Sequence, residues 1–436
     1  MDLSIEGKIL RNGAFETACL GITDGKITAL KKTLTAETHR DFGTRLLLPG
    51  GIDLHVHFRD PGFPKKEDFQ TGSTAAAFGG ITTIFDMPNT RPFTSTLPAL
   101  RDKRRMAQAK SLVDFGLYAA ITEDNLGQLP ALARECSGFK IFLGSSTNAG
   151  SLPTTSLQDV LQTVKPTVAR TLIHAEDDRC LLHHAGPEEN LPDHNRRRPA
   201  DCEEEAINHI LDADVKTPLH ICHLSSREGL HALSLHPPCI SIGVTPHHLL
   251  LDATVDGEHP TWYKVNPPLR APADREALWN AVVEGRIDIF ESDHAPHTLE
   301  EKEAEFAVAP SGLPGVETMY PLFLALVSQQ RLDLSRVQAM LCERPAALAG
   351  LPKGRLEVGR DADIVVVDLK DIRKVRSDRL HSRCGWTAFE GWPAVFPVAV
   401  FLRGEQLVDG TELVNSPGCG HCVDGKGPEA GGEENG

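Results

Sequence analysis

Between residues 47 and 295 the chain repeats one pattern eight times: a short run rich in Ile, Val, Leu and Phe, followed by a segment long enough for a helix. The runs occupy 47–56, 81–87, 115–121, 139–143, 171–175, 219–224, 240–244 and 287–291. Alternating β and α units of this number predict a closed (β/α)8 barrel of the TIM type. The spacing predicts helices over 68–78, 99–110, 201–214 and 273–284. In the third, Asp201 is a candidate N-cap and Glu203 and Glu204 supply an acidic first turn.

Polar residues collect where these runs end: His55 and His57, Asn89, Lys140, His174, His223, His247 and His248, then Asp293. In such a barrel the C-terminal strand ends carry the active site, so residues far apart in sequence converge on one mouth. With 19 histidines in the chain, some fall near strand ends by chance, but chance does not also place Lys140 and Asp293 there.

Outside the barrel, residues 8–13 and 21–27 read as short strands with an Asp-Gly turn, and 363–368 and 398–407 read as further strands. Both chain ends therefore predict one small β-sandwich. The expected division is 1–48 and 351–415 for the sandwich, 49–350 for the barrel, and 416–436 for a disordered tail rich in Gly and Glu. That tail contains Cys419-Gly420-His421-Cys422, a lone pair of cysteines without a second half-site, read as incidental.

A net charge of -15 disfavours nucleic acid and anionic membranes as partners, so an anionic substrate would need local positive charge from metal or arginine. The N-terminus has no basic stretch followed by an apolar one, and no apolar span reaches membrane-crossing length. A cytoplasmic protein with reduced thiols is expected, because the ten cysteines are scattered and several sit in apolar runs.

Two imidazoles at i and i+2 on an extended segment point to one face, so His55 and His57 can reach one metal ion. By itself His-x-His also fits two hydrogen-bonded strand residues. The remaining ends supply a fuller set: His55, His57 and Asp293 for one ion, His174 and His223 for a second. Two cations need a bridging anion. Lys140 becomes one if carbon dioxide carbamylates it, whereas an unmodified strand-end lysine would snorkel to solvent.

The motifs His55-Val56-His57-Phe58-Arg59-Asp60-Pro61-Gly62, Asp86-Met87-Pro88-Asn89-Thr90, Phe139-Lys140-Ile141-Phe142, His174-Ala175-Glu176, His220-Ile221-Cys222-His223, Val265-Asn266-Pro267-Pro268-Leu269-Arg270 and Ser292-Asp293-His294-Ala295-Pro296-His297 occur in this order. Over residues 49–368 the chain resembles the dihydroorotases of the amidohydrolase superfamily. The resemblance implies the reversible cyclisation of N-carbamoyl-L-aspartate to L-dihydroorotate in pyrimidine biosynthesis, with two divalent ions, zinc favoured, and a carboxylated Lys140. In the hydrolytic direction a metal-held hydroxide attacks the ring amide and Asp293 carries the proton to the leaving nitrogen.

Arg59 is placed to grip the substrate carboxylate, its alternative being a structural pair with Asp60. Asn89 and Asn266 suit a planar ureide, although a local turn role competes for Asn89. From the resemblance alone come substrate contacts by His297 and by the main chain near Ser311 and Gly312. His247 and His248 are expected behind the ligands, Arg196-Arg197-Arg198 in a solvated loop, and 300–303 in an exposed loop near the mouth. The resemblance also implies a homodimer and leaves room for an aspartate carbamoyltransferase partner. Rival readings are an allantoinase or hydantoinase, against which Asn89 and Arg59 argue, and a catalytically dead scaffold subunit, against which the complete ligand set argues.

Overall fold

The computed structural model describes residues 1–436 apart from Asn12, 146–149, 214–215 and 424–436. Its N-terminal strands are β1 (Leu3–Arg11), β2 (Ala14–Thr23), β3 (Lys26–Lys31) and β4 (Thr38–Pro49). Eight more follow: β5 (Gly51–Val56), β6 (Ile81–Asp86), β7 (Asp114–Ala120), β8 (Gly138–Phe142), β9 (Thr171–His174), β10 (Leu219–Ile221), β11 (Ile240–Val244) and β12 (Ile289–Phe290). These eight pair in chain order, all parallel. Every one of their residues is buried, so they read as short, largely apolar runs, and the polar residues within them, such as Asp53, His55 and Lys140, are buried too. The barrel closes just beyond β5, where His57 N donates to His294 O at 2.8 Å.

The first predicted run is really two strands. Residues 47–49 end β4, and β5 begins after Gly50, where any Cβ would collide with Thr82. The C-terminal strands β13 (Ile364–Val367), β14 (Arg373–Lys374), β15 (Pro393–Ala394), β16 (Ala399–Leu402), β17 (Glu405–Asp409) and β18 (Glu412–Leu413) complete the set. All but β14 and β15 join β1–β4 in a single eight-stranded sheet, stitched where β13 pairs antiparallel with β4. The small β domain is thus built from both chain ends, around Ile5, Leu20, Ile27, Leu47, Ile364 and Phe401. The Asp24-Gly25 turn joins β2 to β3, with both residues at positive φ as such a hairpin requires.

The helix Phe69–Phe78 opens on Asp68, whose carboxylate accepts from Thr71 N at 2.9 Å. Leu97–Lys110 and Pro272–Glu284 also lie where the spacing places helices. The third, Ala200–Asp212, starts one residue earlier than expected, with Pro199 rather than Asp201 at the cap; Asp214, in the expected span, lies outside the described residues. Its Glu203 turns inward and accepts from the backbone N–H groups of Ser225 and Ser226 at 3.0 and 2.8 Å.

Two expectations are corrected. Residues 416–423 are not disordered: Phe115 N donates to His421 O at 2.9 Å and Val423 N to Phe115 O at 2.8 Å, so the stretch lines up beside the start of β7. Backbone hydrogen bonds hold it where apolar side chains are scarce; the rest of the expected tail lies outside the described residues. Nor are all thiols free, since Cys180 and Cys202 form a disulfide. Among the described residues no helix is long and apolar enough to cross a membrane.

Beneath the barrel, at the N-terminal end of β7, lies a paired charge cluster. Lys353 Nζ contacts Asp114, Asp363 and Asp361 at 2.8, 2.6 and 3.4 Å, and Arg403 adds a second cation on Asp114.

Candidate active site

The opposite barrel end is organised around imidazoles. His55 on β5 and His57 just after it both direct Nε2 at one carboxylate oxygen of Asp293, at 3.3 and 3.1 Å. His57 Nδ1 lies 2.6 Å from Asn89 Oδ1, which fixes that nitrogen as the donor and leaves Nε2 as the lone-pair atom facing the site. His174, ending β9, has Nε2 2.7 Å from Glu176, so its Nδ1 is the atom presented to His223 Nε2 at 3.1 Å. Arg198 in turn grips Glu176, with Nε at 3.1 and 3.2 Å from its two oxygens. The His55 and His223 ring centroids are 5.2 Å apart, which brings the two histidine pairs together.

Lys140, on β8, has no exposed surface; its Nζ lies 3.1 Å from Cys222 Sγ and has no carboxylate within ion-pair distance among the described residues. It does not snorkel to solvent. One cavity is lined by His55, His57, Arg59, Asn89, Lys140, His174, His223, Asn266, Asp293, Ser311 and Gly312, with Phe142, Val265 and Ala295 between them. His297 is not in its wall. It stands behind, with Nε2 3.3 Å from Arg59 Nη2 and 3.1 Å from Ser311 O.

Arg59 is the principal cationic side chain of the wall besides Lys140. It is 2% exposed, its Nε donates to Pro296 O at 3.2 Å, and its Nη1 has no partner among the described residues. Asn266 Oδ1 is similarly unpaired. A buried donor and a buried acceptor left open cost stability in the free protein and are recovered when a ligand pairs with them. Asp60 pairs instead with Lys110, at 2.6 Å, so Arg59 is not spent on its neighbour. Arg59, His223 and Asp293 all hold positive φ, strain that gathers at this mouth.

Burial sets much of the electrostatics. It lowers His57 to about 3 and Arg59 to about 10, so the guanidinium stays charged at neutral pH. Burial and Lys140 pull His55 down, yet Cys222, Asp293 and Glu291 together raise it to about 10. Although burial pushes Asp293 upward, His55 and His57 hold it well below the usual carboxylate range. The donor set fits divalent metal: the ligand atoms of His55, His57 and Asp293 lie within 4.8 Å of one another, and His223 Nδ1 is buried without a partner.

A model of the amidohydrolase family matches residues 46–407. The chain is 37% identical to a dihydroorotase of Methanosarcina acetivorans over 96% of this chain and 94% of that one, and 37% identical to one of Thermoplasma acidophilum over 96% and 97%. Its fold is similar to that of the L-hydantoinase of Arthrobacter aurescens, with a TM-score of 0.92 at 28% identity, covering 97% and 99% of the two chains. This chain belongs to the amidohydrolase family. The resemblance drawn from the motifs is borne out, and the protein is a metal-dependent cyclic amidohydrolase.

The amidohydrolase site uses residues that the motifs alone did not single out. Glu291 directly follows the last barrel strand, two residues before Asp293; it lies 3.3 Å from both His55 Nδ1 and His220 Nε2 and accepts from His223 N. Asp53 accepts from His55 N at 3.1 Å and Ser292 N at 3.2 Å, tying the first strand to the last. The available signal was a carboxylate at the end of the eighth apolar run, just ahead of Asp293. His248 is held by Thr245 and Pro267, whereas both ring nitrogens of His247 are unpaired among the described residues. Both stretches expected in solvent do keep exposed residues, Arg196 in one and Glu300 and Glu303 in the other, but each also holds one buried cation. Arg198 is buried because Glu176 needs a cation, and Lys302 is buried at the end of the short helix Leu299–Lys302.

Proposed function

We propose that this amidohydrolase interconverts N-carbamoyl-L-aspartate and L-dihydroorotate. The observation that carries this reading is the Arg59 guanidinium, buried, still charged and with Nη1 unpaired among the described residues, on a side chain that lines the imidazole-rich cavity. A substrate carboxylate satisfies that donor, while a hydantoin without a carboxylate leaves it unpaired. The dihydroorotase relatives support the same choice.

His55, His57 and Asp293 would hold one divalent ion and His174 and His223 a second, zinc being favoured by the imidazoles. Carboxylated Lys140 would bridge them, replacing a buried unmatched cation with an anion. When bound, the ions supply Lewis acidity and an activated water. Asp293, ionised and next to His57, accepts a proton and returns it to the ring nitrogen that leaves; in ring closure it works in reverse. Asn266 offers its open oxygen to a ring N–H, and Asn89 holds the His57 tautomer. A homodimer and an aspartate carbamoyltransferase partner belong to the same proposal.

The structural likeness to L-hydantoinase favours hydantoins as a second substrate class. Purified protein is assayed for ring opening of L-dihydroorotate, hydantoin and allantoin, with metal measured on the same sample. Preference for dihydroorotate supports the proposal, and preference for hydantoin replaces it. Inactivity of a metal-replete sample points to the scaffold reading.

A further inference from the structure

One wall of the cavity is made without strands. Val265 and Asn266 follow one loop, Ser311 and Gly312 lie on another, and Gly312 N donates to Lys264 O at 2.9 Å. Behind this junction sits Lys302, with no exposed surface. Its Nζ donates to Lys264 O at 3.3 Å, Pro310 O at 2.9 Å and Gly312 O at 3.0 Å. An ammonium has three donors, and all three are used on this wall.

No carboxylate lies within ion-pair distance of Lys302 among the described residues; neighbouring Glu301 is 2.8 Å from Lys66 instead. Burial and the nearby charge of Lys264 push the Lys302 ammonium well below its usual range. Such an arrangement is costly unless the carbonyls are held where they are. The indole face of Trp386 lies 5.5 Å from the same Nζ, and its Nε1 donates to His297 O at 2.8 Å. Lys302 therefore links both loops to the segment that carries Asp293. Gly312 fits tightly there: a Cβ on it would meet Ala295 O at 2.6 Å.

We infer that Lys302 is a positioning residue for substrate: by binding the carbonyls of Lys264, Pro310 and Gly312 it fixes the strandless wall against which the ring is held, without touching the substrate itself. The inference rests on the proposed cyclic-amide chemistry but not on which ring is opened. A wall displaced by about 1 Å can cost up to about 10²-fold in kcat/KM.

The test is Lys302→Met, assayed on whichever cyclic amide the wild type opens best, so a failure of the dihydroorotate reading shows in the wild type and not in the variant. The expected result is a KM raised about 10-fold or more, kcat within about 3-fold, and an unchanged metal-to-protein ratio. A merely structural lysine lowers the unfolding temperature and leaves KM of the folded enzyme unchanged; that outcome overturns the inference, as does a fall in kcat with metal loss. If Lys302→Met does not fold, Pro310→Gly loosens the same wall from outside the core and is read in the same way: a raised KM supports the inference, an unchanged KM overturns it.

Discussion

The two ends of the barrel both bury charge, and they treat it oppositely. At the lower end Lys353 meets three aspartates and Arg403 shares one of them, so cations and carboxylates are closely matched. At the mouth, Lys140 has no carboxylate, Arg59 has an open N–H, and imidazoles face one another across 3.1 Å. A matched cluster serves the fold, because removing one member leaves the others uncompensated. An unmatched one is a place waiting for a ligand. The difference says which buried charges to read as architecture and which as chemistry.

The comparison breaks most visibly at Lys140. Lys140→Ala is expected to lower kcat/KM by about 10⁴-fold or more, as when one member of a cooperating unit is removed, and to reduce bound metal; an unchanged metal-to-protein ratio would count against the bridge. Asp293→Asn should follow, with kcat down about 10²- to 10⁴-fold, the range for a positioned acid or base. Arg59→Lys removes the planar fork and should cut kcat/KM for dihydroorotate by about 10²-fold with metal content intact; normal kinetics would dismiss the clamp.

At the lower end, Lys353→Met should cost about 3–5 kcal/mol of stability in a denaturant titration while leaving turnover per folded molecule unchanged. The smallest effect is in pH. Burial raises Glu176, but Arg198 and His174 hold it below its ordinary 4.5. A depressed folded value means its contribution is complete above about pH 4.5 and is lost as pH falls below that. Arg198→Met should flatten this acid limb of the unfolding midpoint, and an unaltered slope would sever Arg198 from the pair.

The barrel was legible because parallel strands buried on both faces are rich in β-branched and apolar residues, as in Ile81–Asp86 and Ile240–Val244. The metal-competent residues were legible because they end those runs. Their supports were not. Glu176 and Arg198 are 22 residues apart and meet only after folding, and Glu291 looks like the last residue of a run until the structure shows its contacts with His55 and His220. Lys302 reads as part of a charged surface stretch, since nothing local announces that three carbonyls enclose it. The docked segment 416–423 escaped for a related reason: its hold on β7 is made by backbone, which composition does not register.

The seam that closes the barrel is also where the chemistry is assembled. His57 and Asp293, whose side chains meet at 3.1 Å, are separated by 236 positions, and the His57–His294 bond joins the first strand of the ring to the last. The two therefore meet only when the first and last strands of the ring are brought together. Any ion captured there ties the earliest barrel strand to the latest and shifts the equilibrium toward the closed ring by mass action.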